Sequence, residues 1–275
     1  MDLYTYYRST SSYRVRIALA LKGLDYTALP VNLIAPSGGE HRQAAYLAIN
    51  PQGRVPALRT DDGELLIQSP AIIEYLEERY PQVPLLSQDL AARAHARAVA
   101  SIIACDIHPL HNSSTQNLLR EWGHEEEQLL LWIDHWISQG LAALEQLFGV
   151  HGFCFGDEPG LADVFLIPQL YAAERFKVSL DEYPRILRVA ALAAAQRQPR
   201  WVTPQCHPQP WPARGHRRGN RAEACSADRR RADNRARCHH PGPDPLPPQG
   251  DARAAGDGGS IDHPRSRGGL GVRRP

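Results

Sequence analysis

The chain lacks several features that would place it in other classes of protein. It has no run of 18 consecutive apolar residues, roughly the length that a membrane-spanning helix needs, so no membrane span is expected. Its first residues read directly as a strand, without a charged and then apolar leader, so no signal peptide is expected. Its five cysteines, at irregular spacing, fit neither a disulfide framework nor a CxxC metal site. A cytoplasmic location is therefore the default expectation.

Lysine, phenylalanine and tyrosine are absent from residues 196–275, which carry 16 arginines against 7 acidic residues. Residues 1–195 carry 15 basic against 23 acidic residues, so the net charge of +1 conceals two unlike segments. A disordered basic arm for nucleic acid is one interpretation of the tail, but such an arm would normally mix lysine with arginine. We predict instead a disordered tail without nucleic-acid binding. Its Arg, Pro, Gly and Ala richness suggests a frameshift near codon 195 in GC-rich DNA. Its cysteines and histidines fit no usual zinc spacing, and no metal site is expected.

The pattern of apolar residues predicts two domains before this tail. Residues 1–82 read as βαβαββα, with strands at 3–6, 26–31, 57–60 and 65–67 and helices at 12–22, 41–48 and 69–80. A small mixed sheet with helices on both faces is the natural packing of this order. A short linker follows at residues 81–84. Residues 87–195 read as an all-α domain, with helices at 90–109, 124–148, 162–176 and 184–195.

Four hydroxyl-bearing residues lie where the first predicted helix begins: Ser9, Thr10, Ser11 and Ser12. A helix N-terminus presents free N–H groups and the positive end of the helix dipole, so it binds anions, and a thiolate is an anion. A thiol held there beside a hydroxyl donor has a lowered pKa and a larger reactive fraction at neutral pH. The alternative is that Ser11 or Ser12 only caps the helix. The spacing alone leaves both interpretations open.

Three motifs in order, at residues 9–19, 50–58 and 66–76, carry a resemblance to a known family. They resemble the zeta class of glutathione transferases, the maleylacetoacetate and maleylpyruvate isomerases, whose signature is Ser-Ser-Cys-x-Trp-Arg-Val-Arg-Ile-Ala-Leu. The resemblance covers about residues 1–195. It implies a thioredoxin-like N-terminal domain, a helical-bundle C-terminal domain, glutathione as cofactor and a homodimer.

The same resemblance makes Ser9, Thr10 and Ser11 the catalytic group, with Ser9 predicted to donate to the glutathione thiolate. Ser11 stands where many members of the class have cysteine, which puts side activities that use that thiol in doubt. Arg14 and Arg16 are assigned to anchoring the helix and the dimer.

Two pairs of residues are predicted to hold the glutathione backbone. Val55 and Pro56 match a cis-proline junction, at which the Val55 backbone pairs with the extended tripeptide like an added strand. An ordinary trans proline in a loop is the alternative. Gln68 and Ser69 match the pair that binds the γ-glutamyl carboxylate, and Ser69 is also the predicted N-cap of the third helix.

Four further residues are assigned to glutathione by the resemblance. His41 matches a contact to the glycine end, and a solvated loop histidine is the alternative. His108, Asn112 and Ser114 match residues that reach glutathione across a dimer interface. Ordinary polar residues at a helix end are the alternative for these three.

Arg8 and Arg175 are the predicted clamps for a dicarboxylate substrate, because a guanidinium recognises a carboxylate with two parallel hydrogen bonds. A surface ion pair with Glu174 or Asp181 is the alternative for Arg175.

Together these residues predict a glutathione-dependent cis–trans isomerase. Maleylacetoacetate, from tyrosine breakdown, is the first expected substrate, and maleylpyruvate is a close alternative. A conjugating or α-halo acid dehalogenating transferase is a rival interpretation, and it would tolerate loss of Arg8 and Arg175. A non-catalytic glutathione-binding protein is a third, and it would keep Gln68 and Ser69 yet ignore substitution of Ser9.

Overall fold

The computed structural model describes residues 1–35 and 38–195. The predicted disordered tail at residues 196–275, and with it the frameshift hypothesis, lies outside the described residues.

A four-stranded mixed sheet forms the N-terminal part of the chain. Its strands are β1 (Asp2–Thr5), β2 (Thr27–Pro30), β3 (Ala57–Arg59) and β4 (Leu65–Ile67), in the spatial order β2-β1-β3-β4. β1 and β2 are parallel, whereas β3 is antiparallel to both β1 and β4. The predicted order of strands and helices is confirmed.

Three helices accompany the sheet: α1 (Thr10–Lys22), α2 (Ala44–Leu47) and α3 (Ser69–Arg79). α1 ends as predicted at Gly23, whose φ of 68° is a left-handed conformation that glycine adopts readily. The helix predicted at 41–48 is wrong in its first half. That stretch is a 3₁₀ turn (Glu40–Arg42) separated from α2 by the extended backbone of Gln43.

The remaining chain is helical: α4 (Leu90–Ser101), α5 (Ser113–Glu121), α6 (Glu126–Leu147), α7 (Leu161–Arg175) and α8 (Pro184–Ala195). The single helix predicted at 90–109 is wrong after Ser101. There α4 passes into a π-helical turn (Ile102–Ile107) and then a 3₁₀ turn (His108–His111), in which Pro109 has no N–H for a regular helix. α5 was not predicted from the sequence; its first turn is capped by the side chain of Asn112.

One apolar cluster joins the sheet, α1 and α3 to the helices that follow. α7 contributes a nearly continuous buried stretch in which Val164, Phe165 and Leu166 are at most 1% exposed. The buried side of α6 includes Ile133 and Ile137, as the helical spacing predicted. The hydrophobic core of the N-terminal domain is therefore continuous with that of the helical part.

A buried ion pair fixes the linker that follows α3. Lys22 Nζ lies 2.6 Å from a carboxylate oxygen of Glu77, and both side chains are nearly inaccessible to solvent. The same ammonium donates to the carbonyls of Tyr80 and Val83 at 2.9 Å, and the Glu77 carboxylate accepts the N–H of Leu85 at 3.0 Å. The end of α1, α3 and the linker are thereby held as one unit.

Candidate active site

The N-terminus of α1 is capped by Ser9, not by Ser11 or Ser12 as the alternative interpretation held. Ser9 has an extended backbone, and its Oγ accepts the N–H of Ser12 at 3.2 Å. This bond uses a lone pair of the oxygen, and within the described residues the hydroxyl proton has no acceptor. Ser9 can therefore cap the helix and still donate to an anion at the same place.

The two residues after Ser9 differ in access. Thr10 is 8% exposed, whereas Ser11 is half-buried. Both lie in the first turn of α1, where the free N–H groups are. Of the predicted catalytic group, Ser9 and Ser11 reach the surface of the site, and Thr10 is largely covered by protein.

The bond between Val55 and Pro56 is cis, as predicted, and the alternative of a trans proline is wrong. In the described part of the chain, the N–H and C=O of Val55 form no hydrogen bond. The residue before it is firmly held, because the hydroxyl of Tyr46 and the amide of Asn50 both donate to the Arg54 carbonyl at 2.7 Å. Val55 therefore offers a fixed, unpaired backbone edge to an extended peptide.

The start of α3 differs from the prediction. Gln68, not Ser69, occupies the N-cap position, with a φ of 70° and without a side-chain cap bond. A non-glycine residue with positive φ is uncommon, and such conformations are concentrated at ligand sites. The Gln68 amide donates to Gln52 Oε1 at 2.6 Å. Ser69 is the first residue of α3 and is 2% exposed. Because Gln68 gives no side-chain cap, the N–H groups at the start of α3, apart from Pro70, which has none, are left for another partner.

Arg14, assigned from the sequence only to anchoring, lies directly behind Ser69. Its Nη1 donates to Ser69 Oγ at 3.4 Å, and its guanidinium carbon is 4.9 Å from the ring centre of Phe165 in α7. Arg14 is 1% exposed, although it is a cation on a helix at the site. Its burial is a property that the sequence pattern did not reveal.

The predicted cluster after α4 lies beside the same chain's cis-proline junction. Arg54 Nη2 donates to Ser114 Oγ at 3.3 Å, and Asn112 Oδ1 accepts the N–H of Ser114 at 3.2 Å. Burial, with the positive charge of Arg14 next, holds the pKa of His108 well below 6.5. Contact of these residues with glutathione across a dimer interface stays a prediction. Arg54 was missed, although its place directly before Val55 was a signal.

His41 lies in the 3₁₀ turn before α2 and is half-buried. Its Nδ1 is shielded from solvent and has no hydrogen-bond partner in the part of the chain that the structure describes. Burial, then the charge of Arg42, lowers the pKa of His41. Its carbonyl packs so close to Gly53 that a Cβ on Gly53 would lie 3.0 Å away. His41 is therefore packed against the loop that leads to Val55, and is not a fully solvated histidine.

Arg8 and Arg175 come from distant parts of the chain, but they lie close enough for their charges to interact. The Arg175 guanidinium packs over the Phe176 ring, 5.1 Å from its centre, at the C-terminal end of α7. Arg175 is an exposed residue, but its guanidinium is partly buried. This burial, followed by the charge of Arg8, lowers the pKa of Arg175. Burial also raises the pKa of the Tyr6 phenol to about 12, while the charges of Arg8 and Arg175 oppose that rise. The two guanidinium groups and this phenol thus lie close to one another.

Within the described residues, Arg175 forms no ion pair with Glu174 or Asp181. The Asp181 carboxylate instead accepts the hydroxyl of Ser179 at 2.9 Å. The surface ion-pair alternative for Arg175 is therefore wrong. Two neighbouring guanidinium groups suit an anion with two negative groups.

Comparison with known proteins agrees with this geometry. The model of the glutathione S-transferase N-terminal domain matches residues 3–84, and that of the C-terminal domain matches residues 137–191. Maleylacetoacetate isomerase of Pseudomonas aeruginosa is 75% identical over 195 residues, which are 71% of this chain and 92% of that protein. The holo structure of a maleyl pyruvate isomerase, a bacterial zeta-class transferase, aligns with a TM-score of 0.71 and 44% identity over 76% of this chain and 99% of that one.

The chain belongs to the zeta class of the glutathione S-transferase family. Another member of known structure, maleylacetoacetate isomerase of Methylobacterium extorquens with bound malonate and glutathione, aligns with a TM-score of 0.69 and 36% identity. That match covers 78% of this chain and the whole of the other. Among residues 1–35 and 38–195, no helix has the length and apolar character required to cross a bilayer.

Glutathione, the cofactor of this family, fits the residues present. The start of α1 offers N–H groups and the Ser9 hydroxyl for a thiolate, and the uncapped start of α3 suits a carboxylate. The unpaired backbone of Val55 suits a peptide. Two buried nitrogens of Arg14, Nε and Nη2, have no hydrogen-bond partner within residues 1–35 and 38–195. In the same described part of the chain, no group of three His, Cys, Asp or Glu side chains could hold a metal ion.

Proposed function

We propose that this chain is a glutathione-dependent cis–trans isomerase that converts maleylacetoacetate to its trans isomer. The observation that carries the proposal is the pair of interacting guanidinium groups, Arg8 and Arg175, in a molecule that also presents the Ser9 hydroxyl at a helix N-terminus. The 75% identity to a maleylacetoacetate isomerase supports the choice of substrate.

The residues of the first domain bind and activate the cofactor. Bound glutathione supplies a thiolate that adds to the cis double bond of the substrate and leaves after that bond has rotated. Ser9 donates its hydroxyl proton toward the sulfur, and the α1 dipole favours the ionised form, so both lower the pKa of the thiol. Val55 pairs with the peptide backbone, while Gln68 and Ser69 hold the γ-glutamyl carboxylate at the start of α3.

Arg8 and Arg175 hold the substrate. Each guanidinium can take one carboxylate with two parallel hydrogen bonds, which fixes the chain of atoms between them. The lowered pKa of Arg175 still leaves the group charged near neutral pH, because the ordinary value of arginine is so high. The same charges stabilise the negative charge that develops on the substrate during addition, where a preorganised cation contributes most.

Turnover of maleylacetoacetate by the full chain, followed by absorbance with and without glutathione, tests the proposal. We expect turnover that depends strictly on glutathione. Arg175→Met should raise the KM for the dicarboxylate about 10- to 100-fold, the loss of a charge-assisted hydrogen-bonded pair, without weakening glutathione binding. Glu174→Gln, at the exposed neighbouring position, is the matched control and should change neither quantity. Glutathione binding without any turnover would contradict the isomerase function and favour the non-catalytic alternative.

Maleylpyruvate is the second candidate substrate, because the zeta-class structure at 44% identity is named for it. The ratio of kcat/KM for the two substrates decides between them. A homodimer, a cytoplasmic location, a place in tyrosine and phenylalanine catabolism, and the domain limits 1–82 and 87–195 remain proposals that come from the sequence.

A further inference from the structure

Arg14 is a buried cation without a counter-charge in the described structure. It is 1% exposed, and none of the ion pairs in residues 1–35 and 38–195 includes it. Its Nη1 donates to Ser69 Oγ at 3.4 Å, while Nε and Nη2 are shielded from solvent and have no hydrogen-bond partner among the described residues. Such a group is costly to bury unless it is paired with an anion.

The side chains that face Arg14 do not supply that anion. Burial lowers the pKa of Arg14 to about 9, and the Cys105 thiol opposes this only as a secondary influence. The two imidazoles nearby, His108 and His111, have lowered pKa values, from burial and in part from the charge of Arg14. Both are therefore neutral near pH 7. The Phe165 ring covers one face of the guanidinium but carries no charge.

The hydrogen bond from Arg14 to Ser69 indicates where a counter-anion would bind. Because Ser69 Oγ accepts from Arg14, the hydroxyl proton of Ser69 points to another side. The start of α3 also presents free N–H groups, because Gln68 supplies no side-chain cap. The hydroxyl, the N–H groups and the guanidinium behind them all favour a negative group at the start of α3.

We propose that Arg14 is a positioning residue that orients the Ser69 hydroxyl and supplies the counter-charge for the γ-glutamyl carboxylate of glutathione. The inference deepens the proposed function, since it rests on glutathione binding at the start of α3, but it does not depend on the isomerase reaction. A purely structural arginine would be replaceable by an apolar side chain of similar size, which fills the same space without burying a charge.

The test compares two ligands by calorimetry: glutathione, and an analogue in which the γ-glutamyl carboxylate is a carboxamide. In the full-length wild type we expect glutathione to bind about 10- to 100-fold more tightly than the analogue, the range for hydrogen bonds to a charged group. In Arg14→Met this preference should fall to within about twofold, mainly through weaker binding of glutathione itself. Arg14→Lys keeps the charge and should keep most of the preference. Arg97→Met, which removes a half-buried cation on α4 paired with Glu74, is the control and should keep all of the preference.

Ser69→Ala separates the two roles. It removes the hydroxyl but leaves the buried charge of Arg14. Glutathione should therefore bind to this variant more weakly than to the wild type, but still more tightly than the carboxamide analogue does. This variant also keeps the proposal testable if Arg14→Met does not fold. The proposal would be overturned if Arg14→Met weakened the binding of both ligands equally, or if it left the preference for glutathione unchanged. A wild type that binds no glutathione would also overturn it. Glutathione binding without turnover refutes only the isomerase function.

Discussion

Three substitutions of Ser9 separate its two roles, the helix cap and the donor to the thiolate. Ser9→Ala removes both, because alanine can neither accept the N–H of Ser12 nor donate a proton. Ser9→Asp keeps the cap, since aspartate is a favoured N-cap, but at neutral pH it donates no proton and repels a thiolate. Ser9→Thr keeps both functions.

The magnitudes follow from the contacts. Loss of an N-cap costs about 1 kcal/mol of the free energy of unfolding, so Ser9→Ala should lower Tm by about 2–4 °C for a protein of this size. Loss of a hydrogen-bond donor to a developing or bound anion costs about 10²–10³-fold in rate. We therefore expect Ser9→Asp to match the wild type in Tm and to be at least as inactive as Ser9→Ala. Ser9→Thr should resemble the wild type in both respects.

The assay combines three measurements on each variant: thermal unfolding, glutathione-dependent turnover, and absorbance of the bound thiolate as a function of pH. In Ser9→Ala and Ser9→Asp the pKa of bound glutathione should rise toward that of the free thiol. If both variants keep wild-type turnover and thiolate absorbance, Ser9 is only a helix cap, and the thiolate is held by another group, such as the hydroxyl of half-buried Ser11.

Three further predictions concern stability. Burial lowers the pKa of His111 to about 4, so as pH falls from about 6.5 to 4 the unfolded chain takes up this proton first and the folded state loses stability. In urea unfolding at a series of pH values, His111→Gln should remove up to about 3 kcal/mol of that pH dependence, and an unchanged profile would exclude His111 as its source. Gly140→Ala would improve helix propensity in a free helix, but its Cβ would lie 2.3 Å from buried atoms of Ile107, so we expect a loss of about 1–3 kcal/mol; a gain would show that α6 can move away. Lys22→Met leaves Glu77 buried without its partner and should lower the free energy of unfolding by about 3–5 kcal/mol, seen as a lower Tm. The double variant with Glu77→Met should recover most of this stability. No recovery would mean that the hydrogen bonds to the linker, and not the ion pair, supply the stability.

Local patterns predicted most of the fold, and the errors have identifiable causes. The strands and α1, α3, α6, α7 and α8 are encoded by apolar spacing and by end signals such as Gly23. The break after Ser101 was missed because Ile102 and Cys105 continue the helical spacing into a turn that is π-helical. Pro109 was visible in the sequence, but it marks the end of the irregular stretch and not its beginning.

The candidate site, too, was predicted in part from the sequence and in part missed. The family resemblance predicted the cis junction between Val55 and Pro56, whereas the proline alone would have favoured an ordinary trans bond. The N-cap of α3 was wrong because a positive φ at Gln68 is imposed by the fold and does not follow from the residue type. Arg14 could not be recognised, since its sequence neighbours do not show that it is buried or that no carboxylate accompanies it. Long-range burial and charge pairing, in contrast to helix periodicity, are properties of the folded chain alone.

The π-helical turn makes the number of residues before His108 as important as their identity. The N–H of His108 bonds to the carbonyl of Ile103, five residues back instead of four, so this turn holds one residue more than an α-helical turn. An α-helical turn closes the same 360° with one residue fewer, so deletion of a single residue within this turn would leave His108 on the side on which Arg14 lies. Deletion of one residue from the regular part of α4 would instead rotate everything after it by about 100°, since an α-helix has 3.6 residues per turn. A one-codon deletion in the π-helical turn should therefore be milder than one in α4.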